Sequence, residues 1–227
     1  MNIRVKLFLL ITFFSITLHA NGLSSAVIID KMINAYGGKK NIERLGSYEQ
    51  VWHIETKTTN KNGTDYRKVD MPYLLRTKLV YPDKTETRVL VKDYGTKQFN
   101  NKKIQAQGPM LDAMKLQLMR LFNPLVLKDK LKDITLHVKE NHYLLSLKNG
   151  TITAEYFVSK NNFLVHKVIG RLRMGSQSME FLTIYEDYKP VNGVLVHHKE
   201  IKYAGSVNTA IMILKDMKFV KKLKGHR

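Results

Sequence analysis

PMLDAMKLQLMRLFNPL, residues Pro109 to Leu125, is the one strongly apolar helical pattern in the middle of a chain that otherwise reads as strand after strand. Leu111, Met114, Leu118, Leu121, Phe122 and Leu125 recur at steps of three or four, so they share one face at a period of 3.6. Leu116 and Met119 widen that face, while Asp112, Lys115, Gln117 and Arg120 fall mostly elsewhere. Burying one such large side chain contributes about 1.5–3 kcal/mol, so several of them would pin the helix against a deep apolar surface. A curled antiparallel sheet provides such a surface. Asn123-Pro124 should end or kink the helix, because proline disfavours helical backbone at the residue before it.

Strand signals lie on both sides of this helix. From Ser47 the period changes to two, with Tyr48, Gln50, Trp52, Ile54 and Thr56 on one face and Glu49, Val51, His53 and Glu55 on the other. Asn60 to Gly63 reads as a turn and Asp65 to Asp70 as a short polar return strand. Leu75, Thr77, Leu79 and Tyr81 alternate against Arg76 and Lys78. Thr85 to Tyr94 returns with Val89 and Val91 opposed to Arg88, Leu90 and Lys92, and Gly95 to Gly108 suggests a polar hairpin about Asn100-Asn101.

Beyond the helix, strands are expected over 134–138, 143–147, 151–158, 163–174, 177–185, 194–203 and 207–219. Asn149-Gly150 is a strong hairpin signal, since both residues accept the positive φ of a tight turn. The pattern predicts a mainly β, α+β fold: a curled antiparallel sheet of about ten strands around apolar helices. A parallel α/β fold lacks its helices between strands. Ahead of the sheet, Ser24 or Ser25 can cap a helix through Tyr36 with an Ile29, Met32, Ile33 and Tyr36 stripe, left by way of Gly37-Gly38. Lys39 to Leu45 reads as a short second helix.

Length and composition agree with one β-rich domain over residues 21–220: 227 residues, 44% apolar, mean hydropathy -0.27. Met1 to Lys6 is basic, Leu7 to Leu18 is apolar, and His19-Ala20-Asn21-Gly22 follows, the pattern of a secretory signal peptide at 1–20. Export is the expectation. The formal charge is +19, or +17 once Arg4 and Lys6 leave with the signal. Such a field favours anionic head groups and membrane surfaces. No base-reading motif points to nucleic acid. Residues 221–227 form a basic tail.

Catalytic signals are weak. With Cys at 0, disulfides, thiolate metal sites and cysteine nucleophiles are excluded. No HExxH or GxSxG occurs, and serines, carboxylates and histidines are scattered. His197 and His198 point to opposite faces of a regular strand and so cannot share a metal. The reading is non-catalytic, with no cofactor and no metal. An enzyme would instead require a cleft where His166 or His198 meets a carboxylate and a nucleophile. Met110, Met114 and Met119 are flexible and polarizable, suited equally to a core or to an irregular apolar ligand. The candidate apolar cavity is lined by Trp52, Ile54, Leu75, Leu79, Val89, Val91, Met110, Met114, Leu118, Met119 and Phe122.

Three stretches carry a family resemblance. Ile29 to Gly38 (IDKMINAYGG) looks like the opening helix of the periplasmic outer-membrane lipoprotein-sorting carrier superfamily. Glu155 to Leu164 (EYFVSKNNFL) resembles its strand-turn-strand, with Ser159 where aspartate is frequent. Asp187 to Val196 (DYKPVNGVLV) resembles its hairpin, with Val196 where proline is common. The resemblance implies a half-barrel holding helices in its apolar concave face, a lipid or acylated lipoprotein as partner, transient contact with anionic membrane or envelope proteins, and a monomer. A non-catalytic envelope interaction or sensing module is the alternative.

Overall fold

The computed structural model describes residues 23–220; the expected signal peptide and basic tail lie outside them. Two helices come first: α1 (Ser25–Ala35), whose N-cap Ser24 accepts from the Val27 amide at 3.3 Å, and the short α2 (Lys39–Ile42). The first six strands are β1 (Ser47–Thr56), β2 (Lys61–Asp70), β3 (Leu74–Tyr81), β4 (Lys84–Val91), β5 (Tyr94–Phe99) and β6 (Lys102–Ala106). The apolar stretch then forms α3 (Pro109–Arg120) and α4 (Pro124–Asp129), divided where Pro124 demanded it, with the Asn123 side chain accepting from the Leu125 amide at 2.8 Å. Seven strands follow: β7 (Ile134–Val138), β8 (His142–Asn149), β9 (Ile152–Ser159), β10 (Val165–Met174), β11 (Gln177–Val191), β12 (Val194–Ala204) and β13 (Val207–Phe219). No helix among the described residues is long and apolar enough to cross a membrane.

The strands make a single open antiparallel sheet in the order β6-β5-β4-β3-β2-β1-β13-β12-β11-β10-β9-β8-β7. The chain meanders outward from β1 to β6, crosses the inner face as α3 and α4, and meanders back from β7 until β13 closes on β1. The helical stretch is therefore the crossover between the two ends of a curled half-barrel. Thirteen strands replace the expected ten or so. The polar segment 95–108 supplies a full hairpin, and the strand expected over Thr85–Tyr94 is divided by a turn at Lys92-Asp93, where Lys92 has φ 53°. The first turn precedes Lys61 rather than spanning Asn60–Gly63; Gly63 pairs with Ile54, where a Cβ would lie 2.7 Å from the Tyr81 ring.

Two glycines seat the crossing helix. A Cβ on Gly170 of β10 would lie 2.7 Å from Arg120 Cδ and 3.0 Å from Leu116 Cδ1. One on Gly95 of β5 would lie 3.0 Å from Leu111 Cδ1 and 3.2 Å from Met114 Sδ. Met114 and Leu118 bury against Tyr48, Val69, Leu75 and Leu90 of the outward meander, whereas Leu116 buries against Ile152 and Leu172 of the returning one. One helix thus ties both halves of the sheet by its wide apolar face.

Candidate functional site

The C-terminal turn of α3 would leave backbone carbonyls without helical partners. Two tyrosines from the sheet satisfy them: Tyr156 Oη donates to the Met119 carbonyl at 2.8 Å, and Tyr185 Oη to the Arg120 carbonyl at 2.5 Å. The helix end is fixed by hydrogen bonds as well as by packing.

Beside it opens a cavity of about 670 Å³, within the usual size range of small-molecule sites. Its apolar walls come from Leu118, Met119 and Phe122 of the crossover, Val126 and Leu127 of α4, and Leu90, Leu147 and Tyr156 of the sheet. Pro72, Tyr73, Lys92, Asp93, Asn149 and Gly150 also border the cavity and are exposed, which puts its mouth among these turns. A smaller depression of about 410 Å³ lies on the outer face, bordered by charged residues such as Glu49, Lys68, Arg76 and Lys218.

The eleven residues expected to line one cavity are distributed over the molecule. Leu118, Met119 and Phe122 line the 670 Å³ groove. Leu75 and Met114 are buried in the adjoining cluster of the outward meander, and Met110 is 38% exposed at the start of α3. Trp52 and Ile54 are buried in a separate cluster with Val194, Val196, Met212 and Leu214, with Leu79 packed on it. The register pairs Leu75 with Leu90, so Leu90 faces the helix and Val89 and Val91 take the outer face. Leu90, Val126, Leu127, Leu147 and Tyr156 are the wall residues absent from the sequence-based set.

Between the groove and the Trp52 cluster lies a feature that sequence reasoning missed. Glu200 is 0% exposed. Its carboxylate accepts two bonds from Arg67, at 2.9 and 3.1 Å, meets Lys202 Nζ at 2.7 Å and lies 3.1 Å from His197 Nε2. Arg67 also donates to Asp65 at 2.6 Å and stacks its guanidinium 4.9 Å above the Trp52 ring. The His197 ring stacks on Trp52 at 5.7 Å and lies 4.3 Å from the Tyr185 ring. Arg120 reaches in from the helix and donates to Thr183 Oγ1.

Burial works against each of these charges, and pairing decides the outcome. Desolvation would raise the Glu200 carboxyl, yet Arg67, Lys202 and the His197 bond together hold it well below the carboxylate range. Burial also opposes charge on Arg67, but Glu200 and Asp65 outweigh it and keep the guanidinium ionised. Lys202 goes the other way: burial pushes its ammonium down to about 8 despite Glu200 beside it. His197 is lowered by burial against the opposing pull of Glu200, so it remains a neutral ring at physiological pH. Such an arrangement fixes the sheet. His166 instead packs against His142 and Phe157, and His198 Nδ1 lies 3.0 Å from the Val196 carbonyl.

Two of the stretches that carried the family resemblance meet at Val165, the residue that follows the third. Tyr36 Oη accepts from the Val165 amide at 3.0 Å, while Tyr188 Oη donates to the Val165 carbonyl at 2.6 Å. With that proton committed, Tyr36 donates to Tyr188 across 3.2 Å. Gly37, at φ 116°, lies so close to the β11–β12 turn that a Cβ would stand 2.1 Å from the Gly193 carbonyl oxygen. Arg44 donates to the Asn192 carbonyl at 3.0 Å, and the Leu195 amide to the Tyr36 carbonyl at 3.1 Å. These turns lock α1 onto the returning meander.

No protein-family model matches the chain, and comparison with curated proteins finds no match. Solved structures do match. A LolA-superfamily protein of Nitrosomonas europaea superposes with TM-score 0.57 at 11% identity, over 86% of this chain and 94% of the other. A domain described as an outer membrane lipoprotein-sorting protein, from Vibrio parahaemolyticus, gives TM-score 0.53 at 10% identity, over 88% and 93%. The likeness is one of architecture: the chain shares the curled half-barrel fold of these structures.

Proposed function

We propose that this protein is a non-catalytic periplasmic carrier that holds the hydrocarbon chain of a lipid or acylated lipoprotein in the groove beside α3. The observation that carries the reading is the 670 Å³ cavity, walled by apolar side chains from both halves of the sheet and open at a turn-lined mouth. Each methylene withdrawn from water into such walls contributes about 0.8 kcal/mol. The signal-peptide pattern at the N-terminus supports export, and the basic surface favours approach to anionic membranes. The fold shared with a domain named for lipoprotein sorting supports a carrier role.

Native mass spectrometry after detergent-free purification, paired with titration of a fluorescent acyl probe, tests the proposal. A co-purifying amphiphile, or saturable probe uptake that a Phe122→Glu substitution abolishes, is the expected result. Absence of both would sink the carrier reading and leave an envelope interaction module.

A further inference from the structure

We infer that the groove takes a lipid with an anionic head, held at the mouth by Lys92, Lys130 and Lys148. This inference rests on the carrier reading and names the ligand class of the same groove. The three lysines come from unconnected places: the β4–β5 turn, the residue that caps the end of α4, and β8. All three nevertheless border the one apolar cavity, together with Lys115 of α3. Two carboxylates, Asp93 and Asp133, also border it, so the lining carries an excess of two positive charges.

The lysines differ in how they are engaged. Lys115 is held 2.6 Å from Asp93, whose carboxyl it lowers. Lys92, Lys130 and Lys148 have no ion pair among the described residues, and the Lys92 ammonium lies 5.8 Å from the centre of the Tyr73 ring. On the sheet, Lys61, Lys68 and Lys199 are matched with carboxylates at 2.6–3.1 Å, whereas Lys78, Lys103 and Lys215, like the three groove lysines, have no ion pair among the described residues; what sets the three apart is the cavity they border. Lys92, Lys130 and Lys148 are exposed where their residues border the cavity, so unpaired positive charge is available where an apolar chamber meets water. That boundary is where the head of an amphiphile must sit once its chain is buried. A lysine is a mobile point charge with three donors, suited to a phosphodiester or carboxylate head presented at varying depth.

The test compares three ligands that share a myristoyl chain: lysophosphatidylglycerol, lysophosphatidylcholine and monomyristoyl glycerol. Each displaces a fluorescent acyl probe from the mature protein at concentrations below micelle formation. The anionic lipid should bind about tenfold more tightly than the neutral one, from three screened contacts. That advantage should disappear in a K92Q/K130Q/K148Q variant and in about 1 M salt, where the Debye length is about 3 Å. Binding of monomyristoyl glycerol should be unchanged in the variant, which shows that it is folded. Equal affinity for all three lipids overturns the anionic-head inference while leaving the carrier reading standing. An anionic preference that survives the triple substitution removes these lysines from the role. If none of the three displaces the probe, the carrier reading itself fails.

Discussion

The inner face of the sheet has two neighbouring regions that solve burial in opposite ways. At the groove, Leu90, Leu118, Phe122 and Val126 surround space with side chains that need no partner. At the polar cluster, Asp65, Arg67, Glu200 and Lys202 fill space with charges that require one another. A charge moved out of water is costly, and only a well-placed counter-charge offsets it. The cluster consequently has one acceptable arrangement, whereas the groove can exchange solvent for hydrocarbon without breaking a bond. The difference separates what sets the architecture from what can be traded with a ligand.

The strongest way to break that contrast is Glu200→Ala. Removing this carboxylate takes its two-bond partner from the buried Arg67 guanidinium and its counter-charge from the partly exposed Lys202, and a loss of about 3–5 kcal/mol in urea unfolding is expected. Acyl-probe affinity of the folded fraction should stay within about twofold, since Glu200 does not border the groove. Acid should erase the wild-type advantage. The Glu200 carboxyl has a folded value well below its ordinary 4.5, so its contribution is complete above 4.5 and fades as pH falls below it toward the folded value. Lys202 acts at the other end of the scale. The folded chain releases its proton near 8 and the unfolded chain near 10.5, so stability should rise between those values. A Lys202→Met variant should flatten that basic limb in the same unfolding assay.

Val126→Thr sharpens the contrast from the groove side. The shape is conserved, but a hydroxyl is placed in the wall. Without ligand, that hydroxyl can reach water at a partly exposed site, and stability should change by less than about 0.5 kcal/mol. With a hydrocarbon chain bound, it is buried without a partner, which weakens acyl-probe affinity by about tenfold. A large stability loss with unchanged affinity would place Val126 in the fixed core rather than the exchangeable wall.

The two regions also differ in how far sequence discloses them. Strand β13 was legible end to end, because Val207–Phe219 is bounded by Ala204-Gly205 and by the polar tail. The crossing helix was legible because its apolar face is wide and Pro124 marks its break. Strand β4 misled because it carries apolar side chains on both faces: Val89 and Val91 point outward, while inward Leu90 shares its face with Glu86 and Arg88. Alternation alone cannot orient such a strand. The polar cluster was hidden for a stronger reason. Asp65 and Arg67 imitate a solvent face, and the partner that makes their burial tolerable lies 133 residues away at Glu200. The groove walls from β8, β9 and α4 required the same long-range register.

Tyr156 joins the groove wall to the hydrogen-bonded seat of α3, and Tyr156→Phe is the smallest and most discriminating change. Its ring borders the groove and meets Phe122 edge-on at 6.1 Å, while its hydroxyl holds the Met119 carbonyl at 2.8 Å. Phenylalanine retains the ring and removes the donor. Tyr185 still holds the Arg120 carbonyl one residue on, so the helix end is loosened but not released. A loss of about 1 kcal/mol is expected in urea unfolding. Stopped-flow uptake of the acyl probe then decides what the helix does. A groove already open at its mouth should fill at the same rate in both proteins, because no helix movement precedes entry. Uptake accelerated more than about threefold in the variant would mean that release of the α3 terminus limits entry. The hydrogen-bonded seat and the exchangeable wall would then be one coupled device, joined at the Met119 carbonyl.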